Sequence, residues 1–284
     1  MKKSILFIFT ACFLFTTSCS DFLDEEHKTK YSSEYVFGTP EGLKLAVNAL
    51  YALQRYYAND TENATIFALE RGTDLAVTNG GTGNFYGIYD PNYLKPSASQ
   101  VGFMWRTMYQ IIGKANEIIA AAEDLEDTPS LRATVSEAKC FRAQSYFLLY
   151  RTFDRIWLNI QPTTAENVND PRDFHAASEK EVFDLIYEDL EYAITNLDWV
   201  SDEAGRFTQA AARHMKAKAA LWLKDWDTTL EQVEEIEKSG HFDLIALNEV
   251  FNAGDLNHKE ALMVQQWSKN PGGNLSNATP KGNY

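Results

Sequence analysis

Apolar residues recur at intervals of three and four positions along most of the 284-residue chain. That spacing places the apolar side chains on one face of an α-helix, so each such stretch predicts a helix that packs against others. The stretches predict six helices, which begin near Pro40, Gln100, Pro129, Ser178, Thr208 and Thr228. The chain is therefore expected to fold as an all-α protein.

Capping residues mark where several of these helices start. The Thr39–Glu41 segment combines a capping threonine, a proline suited to the first turn and an acidic side chain near the positive end of the helix. Ser178 with Glu181 forms a capping-box pattern for the fourth predicted helix, and Thr228 with Glu231 forms one for the sixth. These signals predict where the helices begin.

The last two predicted helices lie close together in the sequence. Asp225-Trp226-Asp227 breaks the helical pattern between them, and the sixth helix is expected to stop at Gly240. Many small residues in the stretch AARHMKAKAALWL, at 211–223, allow close packing. The pair predicts a helical hairpin of the tetratricopeptide kind, and we expect a fold built from such hairpins joined by long loops.

Three segments do not follow the helical pattern. Asp74 to Ser99 and Asn159 to Ala176 are polar and predict long loops, while Ala261 to Trp267 predicts a short strand. Cys140 falls inside the third predicted helix, where we expect it to be a small core or groove residue and not a reactive thiol.

The N-terminus has the pattern of an export signal. Lys2 and Lys3 precede an apolar run from Ile5 to Phe15 that is too short to span a bilayer. The Ser18-Cys19 pair that follows looks like a bacterial lipoprotein cleavage site, at which Cys19 becomes the acylated first residue of the mature protein. The alternative is an ordinary secretory signal with an incidental cysteine.

The charge of the chain limits its partners. The net charge is −14, and loss of Lys2 and Lys3 with the leader would make it −16. Nucleic acid is therefore not an expected partner, because phosphate binding requires a basic surface. We expect residues 1–18 to be a lipoprotein signal peptide, 19–38 an acidic flexible tether and 39–284 a helical domain.

No motif supports catalysis or metal binding. Ser136 and Lys139 match a Ser-x-x-Lys nucleophile motif, with residues 238–240 as its distant partner, but the first lies within a predicted helix and the second at a helix end. Cys140 lacks metal-ligand spacing, and Asn79–Gly83 lacks the Gly-Lys-Ser/Thr of a phosphate loop. The sequence predicts no catalytic residue, no metal and no cofactor.

The first predicted loop is rich in aromatic and amide side chains. Flat rings match the apolar C–H faces of sugars, and amide or carboxylate groups match their hydroxyls. The candidate glycan-binding residues are Asn79, Asn84, Phe85, Tyr86, Tyr89, Asp90 and Tyr93. The alternative is that these rings only pack the loop onto the helices.

Six fragments along most of the chain, behind the lipoprotein leader, occur in the order typical of one known family. They are Cys19–Asp24, Glu70–Asp74 with Asn79–Gly81, Trp105–Asn116, Phe141–Phe153, Glu188–Leu197 and Gly205–Thr208. Together they resemble the SusD/RagB family of surface lipoproteins of Bacteroidota. The chain departs from the family at Asp154–Leu158, where family members usually read Gly-x-Pro-Leu.

The resemblance implies a SusD-like helical fold and a glycan-binding lipoprotein on the outer face of the outer membrane. Such a protein is expected to capture oligosaccharides or polysaccharides and pass them to a SusC-like TonB-dependent transporter, with no bond made or broken. Family members are longer, so residues 39–284 are expected to be the N-terminal helical part, with the C-terminal part absent. Two alternatives remain: an adaptor that binds only the transporter, and a protein that carries peptide-type cargo.

Overall fold

A computed structural model of the chain describes residues 31–59, 99–164, 166–171, 174–250 and 257–264. Over these residues the chain is helical and contains no strand. The helices are α1 (Ser33–Gly38), α2 (Pro40–Asn59), α3 (Ser99–Ala122), α4 (Pro129–Thr152), α5 (Glu179–Asn196), α6 (Gln209–Leu223), α7 (Trp226–Lys238) and α8 (Leu247–Val250).

The helix starts predicted for α2 to α6 are confirmed to within one residue. Thr128 caps α4 by accepting a hydrogen bond from the backbone N–H of Leu131. Ser178 and Glu181 form both hydrogen bonds of a capping box at the start of α5. These caps satisfy backbone N–H groups that have no partner within the helix, which explains why local sequence is enough to locate them.

The predicted capping box of the sixth helix is wrong. Asp225, not Thr228, caps α7, and its carboxylate accepts a hydrogen bond from the backbone N–H of Thr228. Lys224 ends α6 in the left-handed conformation, with φ of 62°. The chain therefore reverses within two residues, and α7 begins at Trp226, earlier than the sequence pattern predicted.

The prediction of a flexible tether is wrong for residues 33–38, which form α1. Ser32 caps this helix by accepting a hydrogen bond from the N–H of Tyr35. The helix lies so close to α2 that a Cβ atom at Gly42 would be 2.2 Å from the carbonyl oxygen of Tyr35. Glycine at position 42 therefore permits α1 to pack on α2.

The core lies around α4, which packs against α2, α3, α5 and α6. Burial of one large apolar side chain contributes roughly 1.5–3 kcal/mol to folding. Because α4 contacts four other helices, its buried side chains are central to the stability of the bundle. The largest fully buried side chains include Leu43, Leu50, Ile112, Ile118, Phe141, Tyr146, Leu149, Ile186 and Leu190. None of the described helices is both long enough and apolar enough to cross a bilayer.

Helix α2 runs in the same direction as α4. Tyr51 and Gln54 of α2 bond to Glu137 and Gln144 of α4, in the same order along both helices. Helix α2 therefore ends at the same end of the bundle as α4, and residue Asn59 lies at that end.

Helix α3 runs against α4. Trp105, near the start of α3, contacts Phe153 just beyond the end of α4, whereas Asn116 in the second half of α3 reaches Arg142 farther back in α4. Helix α3 thus begins at the end of the bundle where α2 and α4 finish, which we call the cleft end.

The strand predicted at Ala261 to Trp267 is wrong for residues 261–264, which have no strand conformation. No neighbouring strand among the described residues pairs with them, and a lone extended segment would leave its backbone groups unsatisfied. Instead the N–H of Ala261 bonds to the carbonyl of His258, and Met263 packs against the helical core. Residues 265–267 lie outside the described residues.

Candidate functional site

A cleft of about 490 Å³ opens at the cleft end of the bundle. One wall is the first half of α3, and the other is the non-helical segment between α4 and α5, which confirms the predicted second loop over its described residues. The residues that line it are Trp105, Tyr109, Gly113, Arg155, Ile156, Trp157, Asn159, Thr163, Phe174, His175 and Ala176.

Four aromatic rings form a continuous row along the cleft. The centroids of Trp105 and Tyr109 are 4.7 Å apart, and those of Tyr109 and Trp157 are 6.3 Å apart with planes inclined by only 24°. Phe174 continues the row at 4.8 Å from Trp157 and is 68% exposed. The row therefore changes from half-buried rings on α3 to an open ring at the rim.

Tyr109 fixes the position of Trp157. Its hydroxyl donates to the carbonyl oxygen of Trp157 at 2.8 Å and accepts from the backbone N–H of the same residue at 2.9 Å. Burial raises the pKa of Tyr109, so the hydroxyl keeps its proton and can act as donor and acceptor together. One side chain of α3 thus pairs with both backbone polar groups of Trp157, which lies in a non-helical segment.

Tyr146 of α4 holds Asn159 in the same way. Its hydroxyl donates to the carbonyl of Asn159 at 2.9 Å and accepts from its N–H at 2.7 Å. Burial likewise raises the pKa of Tyr146. The carbonyl of Ile156 accepts a hydrogen bond from Ala177 at 2.9 Å. The backbone at residues 156, 157 and 159 is therefore fixed by contacts with different parts of the fold.

A buried polar network supports the same wall of the cleft. Asn116 donates to the carbonyl of Asn159 at 2.7 Å and accepts from a terminal nitrogen of Arg142 at 2.8 Å. Arg142 bonds in turn to Asp189, which has no exposed surface and also pairs with Lys139 at 2.8 Å. Burial lowers the pKa of Arg142, but the hydrogen bonds to Asp189 and the negative charge of Asp189 have a larger effect. The pKa of Arg142 is therefore raised. The network connects α5, through α4 and α3, to the loop that lines the cleft.

The Ser-x-x-Lys pattern does not form a nucleophilic pair. The hydroxyl of Ser136 donates to the carbonyl of Arg132, and Lys139 is paired with Asp189. Cys140 is fully buried, as predicted, and burial raises the pKa of its thiol, which opposes the reactive thiolate. Within the described ranges no group of His, Cys, Asp and Glu side chains is arranged to hold a metal ion.

The site residues predicted from the sequence are outside the part of the chain that the structure describes. The lipidation candidate Cys19 and the glycan candidates lie outside the described residues. The glycan candidates are Asn79, Asn84, Phe85, Tyr86, Tyr89, Asp90 and Tyr93. The chain leaves the described part at Asn59 and returns at Ser99, and both positions belong to the cleft end of the bundle.

Sequence reasoning missed two rings of the cleft, Trp157 and Phe174. A signal was present for Phe174, which is an aromatic residue within the polar second loop, whereas Trp157 lies in a short apolar run with Ile156 and Leu158 just before that loop. Trp105 and Tyr109 were recognised within the Trp105–Asn116 fragment of the family resemblance, and their four-residue spacing is also typical of a helix face in a core.

Comparison with known proteins gives one family for most of the chain. A SusD-like family model, described as starch-binding and associating with the outer membrane, matches residues 21–221. A SusD-like protein of Bacteroides ovatus is 25% identical over 94% of this chain and 50% of its own length. The chain spans about half the length of the curated relatives that it matches.

Solved structures share the fold. One described as a laminarin-binding SusD-like protein has a TM-score of 0.65 and 24% identity, covering 76% of this chain and 49% of its own. Another, described as crystallised with a xylogluco-oligosaccharide, has a TM-score of 0.66 and 21% identity, covering 80% of this chain and 46% of its own. At these identities the likeness establishes the helical fold, which agrees with the tetratricopeptide-like architecture expected from the sequence.

Proposed function

The chain belongs to the SusD-like family, and from this membership we propose that it captures oligosaccharides at the outer surface of the bacterial outer membrane and leaves them chemically unchanged. Ligands named for two structural neighbours, laminarin and a xylogluco-oligosaccharide, support a glycan as the cargo. The chain spans about half the length of each curated relative, and the proposal concerns the surface that this half provides.

The row of rings in the cleft carries the proposal. A sugar ring presents an apolar C–H face that packs on an aromatic plane, and rings that are already fixed lose little conformational entropy when the sugar binds. Tyr109 holds Trp157 in place through two hydrogen bonds, so this central ring is preorganised. Phe174, exposed at the rim, would contact the next sugar unit of a longer chain.

The loop predicted from the sequence would add polar contacts to this surface. The described chain stops at Asn59 and resumes at Ser99, both at the cleft end of the bundle, and the predicted loop from Asp74 to Ser99 falls between these positions. We propose that Tyr86, Tyr89 and their neighbouring amide residues contact sugar hydroxyls beside the cleft. Replacement of both tyrosines with alanine is expected to weaken glycan binding, whereas unchanged binding would assign those rings to packing.

Membrane attachment follows from the leader. We propose that Cys19 carries the lipid anchor, since an acidic protein would not be held by an anionic membrane surface. Transfer of the captured glycan to a SusC-like TonB-dependent transporter would complete the function.

An adaptor role is the second candidate, and a separate surface favours it. The hairpin of α6 and α7 exposes several large apolar side chains, more than isolated surface positions would account for. They are Leu221, Trp222, Trp226, Leu230 and Val233. Such a face is suited to contact with another protein, and Leu230→Asp would then reduce co-purification with the transporter and leave glycan binding unchanged.

Titration calorimetry with a panel of soluble glycans, including laminari- and xylogluco-oligosaccharides, tests the proposal. Trp157→Ala is expected to weaken binding roughly tenfold, because about 1–2 kcal/mol of stacking is lost. Trp226→Ala is the matched control, since Trp226 is an exposed tryptophan that does not line the cleft. Equal binding by both variants, or no binding of any glycan by the folded protein, would contradict the proposal.

A further inference from the structure

We propose that the cleft selects acidic glycans, and specifically sugars that carry a carboxylate, the hexuronic acids. The inference rests on the proposed function and names the ligand class of the same site. Its basis is the position of one cation, Arg155, beside the row of rings.

The charge of the cleft differs from that of the chain. The whole sequence has 40 acidic residues against 26 Lys and Arg, whereas the described residues that line the cleft include no Asp or Glu. The lining does include Arg155 and His175. A carboxylate-bearing ligand would therefore meet no like charge among these lining residues. The exposed carboxylate of Asp154 pairs with Arg155 and does not itself line the cleft.

Arg155 has capacity to bind a ligand. Its only ion pair among the described residues joins Nε to Asp154 at 3.5 Å, with side chains that are 81% and 94% exposed. An exposed pair at that distance contributes little. The two terminal nitrogens of Arg155 make no hydrogen bond within the part of the chain that the structure describes. The guanidinium can therefore form the two parallel hydrogen bonds that a carboxylate accepts.

The backbone around Arg155 is held in place. The next residue, Ile156, is buried and its carbonyl bonds to Ala177, while Trp157 is held by Tyr109. The backbone that carries the charged side chain is thus held in place, two residues before the central ring of Trp157. A flexible arginine on a mobile loop would lose more entropy on binding.

A hexuronic acid presents the two features that this arrangement matches. Its ring has an apolar C–H face that would stack on Trp157, and its carboxylate projects from the ring edge, where Arg155 lies beside the cleft. A neutral hexose would make the stacking contact alone. Arg155 would then stay hydrated. A neutral sugar would therefore lack the ion pair but would not be excluded from the cleft.

The net charge of −14 does not prevent such binding at physiological salt. Exposed charges farther away than about 8 Å are largely screened at that ionic strength. The preference for the acidic glycan therefore depends on the short-range contact between Arg155 and the carboxylate. At higher salt the Arg155–carboxylate contact is weakened, and the preference for the acidic glycan should fall accordingly.

Calorimetry of the folded protein with an oligogalacturonate and a laminari-oligosaccharide of similar length tests the inference. Wild type should bind the oligogalacturonate more tightly, and Arg155→Ala should weaken that binding about tenfold with less than about a twofold change for the neutral glycan. Arg132→Ala is the control, because Arg132 pairs with Asp127 at the opposite end of α4 and should bind both ligands like wild type.

The outcomes separate this inference from the proposed function. Binding of the neutral glycan as tightly as the acidic one, or an equal loss of both in Arg155→Ala, would overturn the acidic preference and leave glycan capture intact. Tighter binding of a sulfated, carboxylate-free oligosaccharide would overturn the assignment to hexuronic acids. Failure of wild type to bind any of these glycans would remove both proposals.

Discussion

Arg142 and Asp189 form a bidentate ion pair in the centre of the bundle, with Nε and one terminal nitrogen of Arg142 each 2.7 Å from a carboxylate oxygen. Asp189 has no exposed surface and Arg142 is 5% exposed. Arg142 also donates to Asn116, which bonds to the backbone of the cleft wall. The ion pair therefore stabilises the core and, through Asn116, also supports the wall of the cleft.

Asp189→Asn should destabilise the protein by about 3–5 kcal/mol. The substitution keeps the side-chain shape but leaves Arg142 and Lys139 buried without their counter-charge. Urea unfolding at pH 7, followed by circular dichroism, measures the change. Asp184→Asn is the matched control, since Asp184 lies on the same helix in an exposed pair with Lys180 and should change stability by less than about 0.5 kcal/mol. Similar losses in the two variants would show that the buried pair has no special role.

Tyr109→Phe should destabilise the cleft wall and weaken glycan binding. Loss of the hydroxyl leaves the N–H and carbonyl of Trp157 without their partner, at a cost of about 1–3 kcal/mol. Tyr187→Phe is the control, because the hydroxyl of Tyr187 is buried without a hydrogen bond among the described residues. Unfolding and calorimetry should show a loss for the first variant and none for the second. Unchanged glycan affinity in Tyr109→Phe would argue against a preorganised Trp157.

The helices were predictable because their signals are local. Thr128 and Ser178 cap helices through hydrogen bonds to residues three positions later, which sequence alone reveals. The start of α7 was mispredicted because Asp225 and Thr228 are both good caps, three positions apart. The choice of Asp225 accompanies the left-handed conformation of Lys224, which has no clear local signal.

The cleft was not predictable to the same degree, because it depends on contacts between distant residues. Trp105 and Tyr109 share a helix face, so their proximity follows from spacing. Trp157 joins them only because the hydroxyl of Tyr109, 48 residues earlier, holds its backbone. Asn159 is likewise held by the hydroxyl of Tyr146. Tyrosines that bind non-helical backbone in this way have no periodic signature.

Cys19→Ala should release the protein from the membrane or leave it unprocessed. Without the thiol there is no site for acylation, and the anchoring contributed by the lipid is lost. Fractionation of cells, with detection of the protein in membrane and soluble fractions, measures the effect. Cys12→Ala is the matched control, because Cys12 lies within the expected leader and should leave the protein in the membrane fraction. Retention of Cys19→Ala in the membrane would contradict lipidation at this residue.

Glu137 should make the protein less stable as the pH rises above 4.5. Burial raises the pKa of Glu137, which bonds to Tyr51 and Arg206, so the folded state holds its proton at a pH where the unfolded state has released it. The stabilisation contributed by this group is therefore complete below pH 4.5 and declines as the pH rises through the raised pKa.

Glu137→Gln keeps a hydrogen-bond acceptor for Tyr51 but cannot ionise. The free energy of unfolding in urea, measured from pH 4 to pH 7, should fall for wild type relative to Glu137→Gln. A difference that stays constant or grows in favour of wild type would show that the ion pair with Arg206 outweighs burial.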